Sequence, residues 1–201
     1  MSRSLCFAFD FLDPWGWIAE RRVRLALDQA RVDWPVRYQP FRAPLSKTAV
    51  GGSYQDYLQR RFGSQTRYHQ KQLFDEAAHL GVPLRALHIE RTPDPLPAML
   101  ALAAATPAQA PVVFDALYAA LYRDGTDIAD TTALAELLAR IGVSEQPPDA
   151  ALLDRLLTDE QDVARWSRHL LPSLRLGDAV LSGAQPPAIL TQWLLRNAQQ
   201  G

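Results

Sequence analysis

The feature that most constrains this chain is the punctuation of its first forty residues. Leu5 to Phe11 is a short apolar run that breaks at Asp13-Pro14, and a helical pattern begins at once with Trp15-Gly16-Trp17-Ile18-Ala19. Asp is a favoured N-cap and Pro suits the first helical position, so the break predicts a helix from Asp13-Pro14 to about Gln29. Val32 to Phe41 alternates loosely and carries Val, Trp and Tyr, which reads as a second strand, with Pro35 restricting its early part. Strand, helix, strand in this order implies a right-handed crossover and a parallel pair.

The pattern then changes. Between Ser53 and about Leu157 there is almost no strand signal, and helical segments are separated by Pro and Gly. The expected helices are Tyr54 to Phe62, Thr66 to Leu80, Pro95 to Ala105, Pro111 to Arg123, Thr131 to Ile141 and a short one from Asp149 to Leu157. Thr158-Asp159-Glu160-Gln161 has the form of a capping box and predicts a separate helix to about His169. Ser173 to Leu181 reads as a hairpin turning at Gly177-Asp178, and a last helix runs from Pro186 or Pro187 to about Asn197. The fold class is therefore α/β, with residues 1–45 and 158–201 forming one layered domain and residues 46–157 a helical insertion.

Composition narrows the function classes. With 48% hydrophobic residues in 201 the chain supports a packed core, and the absence of a long apolar run predicts a soluble, cytoplasmic protein with no membrane partner. A net charge of −1, from 21 basic and 22 acidic side chains, gives no electrostatic reason to expect nucleic acid. The Glu20-Arg21-Arg22-Val23-Arg24 cluster reads as the wet face of a helix. A single cysteine, Cys6, excludes an intrachain disulfide, a dithiol cycle and a Cys-rich metal site. Cys6 itself sits in an apolar run where a free thiol behaves as a small inert hydrophobe.

The four histidines, His69, His79, His88 and His169, lack metal-binding spacing, and Asp124, Asp127 and Asp130 do not match a calcium loop. No metal is expected. Neither a Gly-rich phosphate loop nor a Gly-x-Ser-x-Gly elbow occurs.

Four segments carry a family likeness: Phe9-Asp10-Phe11-Leu12-Asp13-Pro14-Trp15-Gly16-Trp17 with Arg21-Arg22, Leu121 to Asp130, Leu171-Pro172-Ser173-Leu174, and Leu181-Ser182-Gly183-Ala184-Gln185-Pro186-Pro187. In this order they resemble the DsbA family of thioredoxin-fold proteins, and within it the FrnE-like branch. The resemblance implies a thioredoxin-like fold with a large helical insertion, and a cis-proline at Pro172 facing the turn at Asp13. Redox members carry Cys at the positions matching Asp13 and Gly16, so their disulfide chemistry does not transfer. Kappa-class glutathione transferases and 2-hydroxychromene-2-carboxylate isomerases share the fold and use Ser at the position of Asp13. Glutathione is accordingly a candidate cofactor that Asp13 does not support, because a carboxylate repels a thiolate.

Asp13 has two readings. As a cap it accepts hydrogen bonds from the first-turn amides. As the candidate catalytic acid or base it needs burial beside Trp15, Trp17 and Pro172 to offset the helix end, which favours the anion. Trp15, Gly16, Pro172, Ser173 and Gln185 are the candidate ligand-binding residues. If Pro172 is cis, it leaves a backbone amide or carbonyl edge that can pair with ligand, or simply makes a tight turn into the strand, whereas Gln185-Pro186-Pro187 is better read as a helix start. The resulting expectation is an enzyme of isomerase or related type acting on a small molecule without dithiol chemistry, in the cleft between residues 13–16, the Pro172 loop and the helical insertion. The alternatives are a non-catalytic binder of a peptide-like or other ligand on the same scaffold, and a thiol-disulfide oxidoreductase in name only.

Overall fold

The computed structural model describes residues 4–85, 89–143 and 150–198. In chain order the elements are β1 (Leu5–Phe9), α1 (Trp15–Ala30), β2 (Val36–Pro40), α2 (Pro44–Ala49), α3 (Tyr54–Phe62), α4 (Thr66–His79), α5 (Leu96–Ala104), α6 (Ala110–Ala119), α7 (Thr131–Arg140), α8 (Ala150–Ser167), β3 (Ser173–Leu176), β4 (Ala179–Ser182) and α9 (Pro187–Ala198). They fall into two compact units, residues 1–41 with 160–201, and residues 42–159.

The first unit is built on a four-stranded sheet of order β2-β1-β3-β4. The β1–β2 pair is parallel, as the crossover requires, and runs in register from Leu5 opposite Val36 to Phe9 opposite Pro40. Strand β3 lies antiparallel on the other side of β1, and the hairpin closes through the two residues Gly177-Asp178, with Leu176 opposite Ala179. Gly177 takes a φ of +59°, a conformation that costs glycine nothing.

Every residue of β1 is buried, because both faces of the sheet are covered. On one face Phe7 and Phe9 stack at 5.3 Å and meet the Tyr38 ring edge-on, beneath α1, which packs beside α9. On the other face Arg175, opposite Cys6, reaches Asp162 at 3.0 Å and lies 5.0 Å over the Trp166 ring of α8. Cys6 is free and buried, as expected.

Helix α1 does not present a wet face at its charged cluster. Glu20, Arg22 and Val23 are buried, which corrects that expectation. Glu20 accepts from the Tyr38 hydroxyl at 2.7 Å and from Arg24 Nε at 2.7 Å, and Arg24 also donates to the Tyr38 oxygen. Arg22 donates to the Ala184 carbonyl. Tyr38 and Ala184 lie 18 and 162 residues from the groups they bind, so local patterning does not reveal them. The helix ends at Arg31, which adopts the left-handed conformation while the Val32 amide returns to the Leu27 carbonyl.

The second unit is helical. Ser53 caps α3 and Asp130 caps α7 through side-chain acceptors, and the core is aromatic. Tyr54 and Tyr57 stack at 5.5 Å, Phe114 meets Tyr118 at 4.7 Å, and the Tyr54 and Tyr122 hydroxyls lie 3.3 Å apart. Burial pushes the Tyr122 phenol well above its ordinary pKa, and the neighbouring tyrosines add to the shift.

Two expectations fail here. The last turn after α6 widens to a π-helix over Ala120–Asp124 rather than continuing as one regular helix. The capping box at Thr158 is not a helix start. Residues 150–167 form one continuous helix, inside which Thr158 Oγ1 donates back to the Asp154 carbonyl at 2.8 Å. The predicted start at Asp149 and the residue His88 lie outside the described residues. Helix α2, six residues led by a proline, is an element the sequence reading omitted.

Candidate functional site

The turn after β1 is built from backbone-directed carboxylates. Asp10 Oδ1 accepts the Leu12 amide at 2.9 Å, and Asp13 Oδ1 accepts the Trp15 amide at 3.1 Å. The Asp13 carbonyl receives Gly16 N–H at 3.0 Å and the Pro14 carbonyl receives Trp17 N–H at 3.1 Å, so the helical turn is already formed at Pro14. Asp13 thus does what an N-cap does, although it is almost wholly enclosed at 2% exposure. Gly16 is buried, Trp15 is half-buried, and Trp17 is fully buried as a core residue.

Pro172 enters from the opposite direction. Ser173 is in register with Ala8, so Pro172 stands at the end of the sheet where β1 gives way to the Asp13 turn. The Leu171–Pro172 bond is cis. The Pro172 carbonyl accepts the Gly183 amide at 2.7 Å, which ties the segment before β3 to the one after β4.

The two remaining candidates are equally occupied. Ser173 Oγ lies 2.6 Å from the Leu170 carbonyl and 2.8 Å from Ser182 Oγ, and Ser173 is buried. Gln185 Nε2 folds back to donate to the Ser182 carbonyl at 2.8 Å. Helix α9 starts two residues later, with the Pro186 carbonyl accepting from Ile189 and Leu190. Pro172, Ser173 and Gln185 meet in a crevice walled by Phe7, Ala19, Val23 and Leu190, which has no room for a water molecule. Asp13, Trp15 and Gly16 do not line it.

The structure therefore gathers the candidates into two groups at one end of the sheet, the α1 turn and the paired segments that lead into β3 and out of β4. Arg22 links them: it rises from α1 and holds the Ala184 carbonyl of the segment after β4. The sequence places Arg22 in a family motif and on a solvated helix face, and neither reading includes this tie. No signal in the local pattern marks it, since the partners are 162 residues apart.

Among the described residues no group of His, Cys, Asp or Glu is placed to hold a metal ion. Asp127 Oδ1 accepts the Ala129 amide, Asp130 caps α7, and Asp124 pairs with Arg123 at 2.7 Å, which lowers the Asp124 pKa. No helix among the described residues is long and apolar enough to cross a membrane.

Comparison with known proteins agrees with this architecture. Residues 5–164 match the family described as DSBA-like thioredoxin domain. No curated protein matches the chain by sequence. Among solved structures, the probable DsbA oxidoreductase SCO1869 from Streptomyces coelicolor aligns at a TM-score of 0.82 and 22% identity, over 99% of this chain and 91% of that one. A 2-hydroxychromene-2-carboxylate isomerase aligns at 0.70 and 18%, over 98% and 96%. The cytosolic disulfide reductase DsbM from Pseudomonas aeruginosa, solved with GSH, aligns at 0.64 and 19%, over 98% and 99%. At such identities these structures share the fold and establish nothing about activity. With the parallel β1–β2 pair, the antiparallel hairpin and the long helical insertion all in place, the chain belongs to the DSBA-like thioredoxin family, as a member with one cysteine and no Cys-x-x-Cys pair.

Proposed function

We propose that this is a FrnE-like, cytoplasmic member of the family that acts on a small molecule without dithiol chemistry, by isomerisation or a related proton transfer at the end of the sheet between Asp13 and the Pro172 loop. The observation that carries this reading is the buried carboxylate of Asp13 at the N-terminus of α1. A helix end with aligned amides favours the carboxylate, the form that accepts a proton. Asp13 is the group that takes up and returns the proton, Trp15 and Gly16 shape the approach, and Ser173 and Gln185 fix the loop that carries Pro172. The reaction needs no cofactor in this reading, and glutathione is disfavoured by the charge of Asp13.

The alternative, a non-catalytic binder of a peptide-like ligand, draws less support. A peptide groove beside the cis-proline pairs with the backbone edge there, and the Pro172 carbonyl, bonded to the Gly183 amide, has one lone pair left for such pairing.

The test uses 2-hydroxychromene-2-carboxylate as probe substrate, with and without glutathione, and compares the natural chain with Asp13→Asn. Asn keeps an oxygen to accept the Trp15 amide, so folding survives while the proton acceptor is lost. A positioned acid or base contributes about 10²–10⁴-fold, and Asp13→Asn is expected to lower turnover by at least the smaller of these. Equal turnover in the two proteins reduces Asp13 to a cap. Absence of turnover in the natural chain removes the isomerase reading and leaves the binder.

A further inference from the structure

The helical unit contains a cavity of about 400 Å³ that lies wholly within residues 94–143. This volume is in the range of small-molecule sites, roughly 300–1,000 Å³. One wall is a single face of α5, formed by Pro97, Leu100, Ala101 and Ala104. The facing wall is one face of α7, formed by Thr131, Leu134 and Leu138 at helical spacing. Alanines at 101 and 104 leave between the helices a slot that larger side chains would fill.

The polar groups are few. Thr106 and Gln109 bond to each other, with Thr106 Oγ1 2.8 Å from Gln109 Oε1. Asp94 is the one ionisable group in the lining among the described residues, and it makes no ion pair there. One of its oxygens accepts the Leu96 amide at 3.0 Å, and the other remains for a partner. Asp94 is half-buried at the edge of the apolar slot, where its charge attracts a cation and repels an anion.

We infer that the helical unit holds a second binding site, separate from the Asp13 turn, for a flat apolar molecule bearing an ammonium group, with the apolar body between α5 and α7 and the ammonium on Asp94. It is independent of the activity proposed above, because none of its residues belongs to that site.

Titration calorimetry with the whole chain tests it with three probes of one shape: 1-naphthylmethylammonium, 1-naphthalenemethanol and 1-naphthylacetate. The expected result is one-to-one binding with the ammonium preferred over the alcohol by about tenfold or more, the cost of losing a charged partner being at least 1.4 kcal/mol. The acetate is rejected. Asp94→Asn, which keeps an oxygen for the Leu96 amide, should abolish the preference and leave the alcohol bound as before. Ala101→Phe should remove binding of all three by filling the slot. If that variant unfolds in a thermal melt, Ala104→Val is measured in its place. Equal binding of ammonium and acetate, a preference unchanged in Asp94→Asn, or full binding to a folded slot-filling variant would overturn the assignment.

Discussion

The Glu20–Tyr38–Arg24 cluster gives a prediction whose size follows from the geometry. Tyr38→Phe keeps the ring on Phe7 and Phe9, at 6.1 and 6.4 Å, and removes only the hydroxyl. That hydroxyl donates at 2.7 Å to Glu20, whose side chain is 7% exposed, so the lost bond is a charge-assisted one in a water-poor setting. Hydrogen bonds to charged groups are worth about 1.5–3 kcal/mol. The Arg24 side chain is 40% exposed, so its share of the cluster is discounted and Glu20 keeps that partner in the variant. The expected loss is about 2 kcal/mol, which for a chain of this length lowers Tm by roughly 4–8 °C. Urea unfolding followed by circular dichroism, with a Glu20→Gln cycle to isolate the coupling, measures it. A Tyr38→Phe protein within 0.5 kcal/mol of the natural chain, or a cycle with no coupling, would refute the claim that these charges belong to the core.

Three further outcomes are expected. Burial, reinforced by the Glu20 charge, raises the Tyr38 pKa, and burial raises that of Tyr122. An unfolded tyrosine ionises near pH 10 while these stay neutral, so their contribution to stability is level below about pH 10 and falls as pH rises beyond it. Tyr38→Phe and Tyr122→Phe should each flatten that fall in pH-dependent urea titrations. Gln39 is 1% exposed, and neither its amide oxygen nor its nitrogen finds a hydrogen-bond partner among the described residues. Gln39→Met should therefore raise stability by about 1–3 kcal/mol, and a loss of that size in the same titration would show the amide to be satisfied in solution. Thr158→Ala separates two structures by sign. Inside a continuous α8 it is neutral or stabilises by about 0.5 kcal/mol, whereas loss of a true N-cap would cost about 1 kcal/mol.

What the sequence revealed and what it concealed divide along the range of the interactions. The Asp13-Pro14 break, the Gly177-Asp178 turn and the Asp130 cap are decisions made within three residues, and each stands where the pattern placed it. Thr158 deceived because its motif is also local, while the evidence against it is not. Leu152, Leu156 and Val163 keep one apolar face running straight through it. Glu20 and Arg22 looked solvated because their partners, Tyr38 and Ala184, are 18 and 162 residues away. For the same reason the engagement of the Pro172 carbonyl by Gly183 was hidden. The family itself was legible, because its signals are short segments in a fixed order and the sheet they imply is the one observed.

The central claim is that a DSBA-like thioredoxin scaffold works here without a thiol. Its most direct test is the turnover of 2-hydroxychromene-2-carboxylate by the Cys6→Ser protein in thiol-free buffer. Cys6 is buried in β1 and takes no part in the Asp13 turn, so the variant is predicted to turn over the probe at the rate of the natural chain. A rate that collapses in Cys6→Ser while the protein remains folded, or that appears only when a thiol is added, would contradict the account.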